Sequence, residues 1–192
     1  NQKQNKIFLL INMHHIASDG WSMEIFNKEL VAYYEAYVNN NTIFSLPALE
    51  IQYKDYAIWQ RAYLTGEVLE KQLAYWKNKL VGYQTLELPT DYPRPIKMDY
   101  SGSVQTFKLS NKISQKLRSL ATKHGTTLHS VMLSSINILF SKYSGQHDIV
   151  IGSPIANRHY RQTEELIGFF VNMQAHRTLL NPTQNFEQLI QQ

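Results

Sequence analysis

The run KIFLLINMHH at residues 6–15 constrains the fold more than any other stretch. It is apolar along nearly its whole length and reads as a buried strand. After the short turn IASDG the period changes: Ile25, Phe26, Leu30, Tyr33, Tyr34 and Tyr37 recur at helical spacing between about Ser22 and Val38. A strand that passes at once into a long amphipathic helix points to a mixed α/β chain.

The rest of the sequence continues that alternation. NNNT at 39–42 and Pro47 mark a loop, and helical patterns cover Tyr53–Leu64 and roughly Glu67–Leu80. In LPTDYPRPIK, Pro89, Pro93 and Pro95 make an extended connector. A lobe boundary is expected just after it, giving residues 1–98 and 99–192. Ser103–Leu109 alternates like a strand. A helix over 112–124 carries Ile113, Leu117, Leu120 and Ala121 on one face and meets Gly125 as its stop. A second over 127–143 has a wide apolar stripe and ends at Gly145. Strands are expected at 148–155 and 170–177, and a helix from Phe186. No internal repeat is present. The expected architecture is α/β, a mixed sheet with flanking helices.

Composition removes several classes of function. Hydrophobic residues make up 43% of the chain, which suits a packed core and argues against disorder. With no cysteine, disulfides, thiolate chemistry and cysteine-ligated metals are excluded within the chain. The formal charge of +4 is scattered, with no run dense enough for a nucleic-acid patch. The longest apolar run, Ile7 to Met13, is too short to span a bilayer, and no signal-peptide pattern is present. The absence of cysteine fits a cytoplasmic location. The chain enters a strand almost at once and finishes at NFEQLIQQ in a helix only begun, so a fragment of a longer protein is expected.

Chemistry concentrates in MHHIASDGWS, residues 13–22. On a strand, neighbouring side chains face opposite ways, so His14 and His15 are poorly arranged to chelate one ion, and no metal site is expected. A purely structural reading has the histidines hydrogen-bonded at the core edge, Asp19 capping the next helix, Gly20 permitting a tight turn and Ser22 offering an N-cap hydroxyl. The catalytic reading is that imidazole accepts and returns a proton near neutral pH, while a backbone N–H beside glycine stabilises developing negative charge. Ser18 and Ser22 flank the site, but no G-x-S-x-G turn occurs. General-base or positioning chemistry is favoured over a nucleophilic triad.

HHIASDG resembles the HHxxxDG signature of the chloramphenicol-acetyltransferase-like acyltransferase superfamily. YKDYAIWQR at 53–61 resembles the Y-x-D-[FY]-A-x-W motif of nonribosomal peptide synthetase condensation domains. IGFFVNMQAHR at 167–177 resembles their I-G-x-F-V-N-T-x-x-x-R motif, with Met173 where threonine is usual. Order and spacing fit, as does the intervening PTDYPRP, and the resemblance spans essentially the whole chain. Two motifs expected before Asn1, one rich in arginine, and two after the third shared block are absent. The resemblance thus implies the central portion of a condensation domain, with parts of two chloramphenicol-acetyltransferase-like lobes.

The resemblance further implies amide-bond formation between two carrier-tethered thioesters. Its implied partners are upstream and downstream peptidyl carrier domains, whose phosphopantetheine arms enter a tunnel between the lobes, and an adjacent adenylation domain. No cofactor bound directly, no metal, no nucleic acid and no membrane are expected. His15 matches the principal catalytic histidine and His14 its neighbour. Asp19 matches a structural ion-pair partner for an arginine, for which Arg177 is one candidate. Gly20 matches the position whose N–H faces the reacting centre. Trp21, Ser22, Tyr53, Asp55 and Trp59 are read as bracing the site. Phe170, Val171, Asn172 and Met173 approach from the other side. Alternatives are a CoA-dependent acyltransferase of the superfamily and a non-catalytic condensation-like module that only docks carrier domains. The second and third motifs argue against the first alternative, and retention of His15, Asp19 and Gly20 argues against the second. Purified alone, this 192-residue piece is expected to self-associate through its open apolar face and to form no amide. Light scattering and a condensation assay check both, and amide formation by the piece contradicts the expectation.

Overall fold

The computed structural model describes residues 7–192. They divide into two compact units, each discontinuous in sequence. One runs to Trp76 and takes in Ser153–Gln174; the other comprises Lys77–Gly152 and Ala175–Gln192.

In the first unit, helix α1 (Gly20–Val38) starts where Asp19, in extended conformation, accepts the Ser22 N–H on its side chain. Helix α2 (Tyr53–Tyr63) starts at Gln52, whose N–H donates to Asp55 Oδ2 at 2.8 Å. Helix α3 (Gly66–Leu80) follows and continues into the second unit. The core of the first unit is Tyr56, Leu166 and Phe170, with Ile51 and Tyr53 packed against them. Tyr56, Ile51 and Tyr53 come from α2 and the residues just before it, and Leu166 and Phe170 from a much later segment, so this core fastens that segment to α2.

The second unit is built on helices α4 (Asn111–Lys123) and α5 (Leu128–Ser144). Ser110 and Thr127 cap their N-termini, and Gly125 and Gly145 take left-handed φ values of +61° and +73° just past their ends. Ala121, Val131 and Ile190 form its core, with Leu117, Leu120 and Phe186 alongside. Strands β1 (Asp148–Ile155) and β2 (Asn172–Leu179) pair with each other. Leu180 N–H donates to His147 O at 2.8 Å, joining the start of β1 to the end of β2, so they run antiparallel. Ile149 is fully buried, and Asn137 Nδ2 on α5 donates to Thr178 Oγ1 on β2 at 3.0 Å. The four-residue helix α6 (Phe186–Leu189) is capped by Asn185.

Helix positions match the sequence reading to within two residues, whereas two of the four expected strands are missing. Residues 7–14 and 103–109 are extended but belong to no ladder among the described residues. Ile7 is 97% exposed, Leu10 91% and Val104 85%. Apolar alternation gives a segment the propensity to pair, but a strand exists only when a neighbouring edge supplies its hydrogen bonds. β2 also begins at Asn172 rather than Phe170, because the N–H groups of Phe170 and Val171 are bound to a carboxylate instead of a strand. Ile149→Ala is expected to destabilise the chain by about 2–5 kcal/mol through the cavity it leaves, measured as a lower urea midpoint.

Candidate active site

The histidine loop is not a continued strand. At His15–Ala17 the chain makes a single 3-10 turn, with His14 as its N-cap: His14 Nδ1 accepts the Ile16 N–H at 3.0 Å. The expected placement of the two imidazoles on opposite strand faces therefore does not apply. They differ in another way, because His14 caps the turn while His15 is held by its own loop and by Phe169. His15 Nδ1 lies 2.6 Å from Ser18 O. A carbonyl can only accept, so Nδ1 carries a proton, and of the two neutral tautomers this contact selects the one with Nε2 as the acceptor. The ring stands T-shaped to Phe169, with centroids 5.2 Å apart and planes at 83°. Both histidines are exposed.

Beneath them lies a buried polar hub. Asp19 is 4% exposed. Its Oδ1 accepts from Ser22 N–H at 2.9 Å, Ser22 Oγ at 2.8 Å and Arg158 Nη2 at 3.3 Å. Its Oδ2 accepts from the N–H groups of Phe170 at 2.9 Å and Val171 at 3.2 Å. Ser22 Oγ shares its one proton between Asp19 Oδ1 and Gly168 O, each at 2.8 Å, and accepts from Gly168 N–H at 3.0 Å and Arg158 Nη2 at 2.9 Å. Arg158 Nη1 donates to Thr163 O and, at 2.8 Å, to Leu166 O, while its guanidinium carbon lies 4.0 Å from the centroid of the Phe170 ring. Removing such a pair from water costs several kcal/mol per ion, and attraction offsets it only when the remaining lone pairs and protons are also satisfied. Here nearly all are, Arg158 Nε excepted.

The balance is visible in the acidity of Asp19. Burial alone would raise its pKa, but the hydrogen bonds from Ser22 and Phe170 and the charge on Arg158 outweigh it and hold the group at about 2. For Arg158, burial lowers the pKa more than Asp19 raises it; a guanidinium nevertheless stays charged in a protein.

Arg158, not Arg177, is the arginine that pairs with Asp19. Arg177 on β2 instead forks onto Asp148 at the start of β1, at 2.8 and 2.6 Å, and donates to Lys79 O at 3.0 Å and Val81 O at 2.8 Å at the end of α3. Sequence reasoning misses Arg158 because it follows β1 in an irregular segment where no periodicity assigns a direction. The one cue is Asn157 before it, a residue that tolerates the left-handed φ of +54° found there.

The remaining candidates fall into two groups. Tyr53 belongs with the hub: its hydroxyl donates to Phe169 O at 2.9 Å, and its ring lies so near Gly168 that an added Cβ there would sit 2.2 Å from Tyr53 Cδ2. Trp21 Nε1 donates to Glu164 O at 2.9 Å. Asp19, not Ser22, is the helix cap, and Ser22 is a fully buried link. Gly20 is not needed for a tight turn, since its φ is not left-handed and open space surrounds an added Cβ. It supplies one of the first-turn N–H groups that have no intrahelical acceptor, at the positive end of α1. The other group is engaged elsewhere. Asp55 caps α2, Trp59 stacks on Tyr63, stands edge-on to Tyr160 and also meets the core residue Tyr56 at 5.7 Å between ring centroids, and Asn172 accepts the N–H of Met173. Among the described residues, no cluster of three or more His, Asp or Glu side chains could hold a metal ion, and no helix is long and apolar enough to cross a membrane.

Residues 1–192 match the family model described as "Condensation domain". The chain belongs to the condensation-domain family. It is 48% identical over 185 residues to malpibaldin synthetase of Mortierella alpina, covering 96% of this chain and 3% of that protein. The chain thus spans a few per cent of the length of the curated relatives it matches. Among solved structures it is similar to SgcC5 of Streptomyces globisporus, with TM-score 0.83, 22% identity, and 93% of this chain and 40% of that one covered. It is also similar to AB3403, a four-domain nonribosomal peptide synthetase bound to AMP and glycine, with TM-score 0.78, 28% identity, and coverage of 93% and 14%. These likenesses give the mixed α/β architecture its class, the chloramphenicol-acetyltransferase-like fold of condensation domains.

The depressed acidity of Asp19 makes a pH prediction. A carboxylate at about 2 when folded, against an ordinary 3.8, contributes about 2 kcal/mol to stability. That contribution is fully present above the unfolded value and is lost as pH falls through 4 toward 2. In Asp19→Asn this part of the acid dependence is expected to vanish, leaving a flatter stability profile below pH 4 in denaturant titrations.

Proposed function

We propose that this chain is the central part of a condensation domain that joins an acceptor aminoacyl thioester to a donor acyl or peptidyl thioester. In this reading residues 1–98 close the N-terminal lobe, and residues 99–192 open the C-terminal lobe. The extended apolar segments 7–14 and 103–109 pair with the remainder of those lobes. Both substrates arrive on phosphopantetheine arms of peptidyl carrier domains, with an adenylation domain alongside. The arms belong to the partners, and this chain binds no cofactor of its own. Family membership and the presence of a condensation-family relative inside a multidomain synthetase support the assignment.

The observation that carries the chemistry is the His15 Nδ1–Ser18 O hydrogen bond. It leaves Nε2 as a lone-pair acceptor on an exposed imidazole, beside the positive end of α1. In the proposed step the acceptor amine nitrogen attacks the donor carbonyl carbon. The C–N bond forms, the C–S bond breaks, and the departing sulfur takes up the proton the nitrogen loses. His15 Nε2 accepts a hydrogen bond from the amine, and the Gly20 N–H at the start of α1 faces the charge that develops on the carbonyl oxygen. His14 supports the loop by capping its turn.

The reaction needs modest help. A free α-amino group has a pKa of about 7.7–8.0, so roughly a tenth is already unprotonated near neutral pH. Holding two tethered ends together can contribute on the order of 7–11 kcal/mol at the ideal limit, whereas a general base adds about 10²–10⁴-fold. Alignment is therefore the larger part of the catalysis, and proton acceptance the smaller.

His15→Ala in the natural protein that carries this chain is expected to slow single-turnover amide formation at least about 10²-fold. The assay mixes donor-loaded and acceptor-loaded carriers in a quench-flow experiment. An unchanged rate rules out both roles for His15. Activity with a free CoA thioester, and none with carriers, selects the CoA-dependent reading instead.

A further inference from the structure

We propose that Phe169 is a positioning residue for His15, setting the plane of the imidazole so that Nε2 points at the acceptor amine. The inference rests on the reading of His15 given above. A single hydrogen bond, from Nδ1 to Ser18 O at 2.6 Å, fixes one point of the ring and leaves it free to tilt about that contact. The T-shaped contact with Phe169, at 5.2 Å and 83°, removes that freedom.

Phe169 lies outside the core cluster of the first unit. Its neighbour Phe170 is 2% exposed and packs in the cluster with Tyr56 and Leu166. Phe169 is 40% exposed. A partly exposed aromatic ring outside that cluster, set against an exposed imidazole, is poorly explained by packing alone.

Its backbone is also fixed on both sides with unusual thoroughness. Gly168 N–H and O are both bonded to Ser22 Oγ, Phe169 O accepts from Tyr53, and Phe170 N–H donates to Asp19. The close approach of Tyr53 to Gly168 leaves no room for a side chain at that position. The buried hub therefore holds the Phe169 backbone in place, and the Phe169 ring carries that placement to His15. The family motif I-G-x-F-V-N-T leaves this position open, so the residue here is not one that the motif specifies.

The test compares Phe169→Leu, Phe169→Tyr, His15→Ala and the His15→Ala/Phe169→Leu double variant in the natural protein, by single-turnover amide formation from loaded carriers. Leucine keeps apolar bulk but no ring, and its rate is expected to fall about tenfold, with KM for the acceptor-loaded carrier unchanged. Tyrosine, which keeps the ring, is expected to recover most of the rate. In the His15→Ala background, leucine is expected to add no further loss, because Phe169 acts through His15. A wild-type rate in Phe169→Leu, or an equal loss in the His15→Ala background, overturns the proposal. Fold loss is separated by a second measurement, the rate at which diethyl pyrocarbonate modifies His15, followed by peptide mass spectrometry on protein with a wild-type melting temperature. The leucine variant is expected to react several-fold faster, and an equal rate overturns the proposal. If His15→Ala keeps the full rate, the functional reading of His15 fails and takes this inference with it. If His15→Ala is slow and Phe169→Leu is normal, only the inference fails.

Discussion

The Asp19 carboxylate, with both oxygens engaged below the histidine loop, ties that loop to α1, to Arg158 and to the segment before β2. It starts α1 by capping it, holds Arg158 through a charged contact, and takes two N–H groups from the segment that precedes β2. Four parts of the sequence thus meet at one side chain: the loop that carries His15, the first turn of α1, the stretch after β1, and residues 168–171. A neutral residue of similar shape could cap the helix, but only an ion can draw a guanidinium into a position where its side chain is 1% exposed. Because removing one partner leaves the other charged and unpaired, the hub behaves as a unit.

Ser22 makes this arrangement economical. Its hydroxyl gives its proton to Asp19 and Gly168 O and receives two, one from Arg158 and one from Gly168 N–H. A side chain one helical turn into α1 thereby measures the distance to a segment 146 residues away. The geometry at His15 is a property of this connected set, not of the histidine loop alone. Local sequence supplies the imidazole; the long-range hydrogen bonds supply its surroundings.

Much of this is legible in the sequence, and what is not has a physical explanation. All the long helices can be read from periodicity, because 3.6-residue spacing and end signals such as Gly125 and Gly145 are local. The HHxxxDG stretch, Tyr53 and the 167–177 block are identifiable from their residues, and the structure brings His15, Asp19, Ser22 and Tyr53 to one place. Strand partners cannot be read in this way. Residues 7–14 and 103–109 have strand composition, but pairing is a relation between segments and is not encoded in either one. Arg158 escapes for the same reason. Its importance lies in what it meets across 139 positions, and an arginine in an irregular segment has no local pattern to mark it. Arg177 looks equivalent in sequence and serves a different purpose, joining β1, β2 and the end of α3.

The alternation along 168–171 has one more consequence. Gly168 faces Tyr53, Phe169 faces His15, and Phe170 fills the core beneath Arg158. Inserting or deleting a single residue between Arg158 and Gly168 would advance this series by one place. Either change would carry one of the two rings into the place of the other and leave its own place to a different residue, and a bulky residue would arrive where only glycine fits. Substitution in that connection is a matter of degree, but a change of length is all or nothing. The spacing from Arg158 to Phe170 is as much a part of the site as the residues themselves.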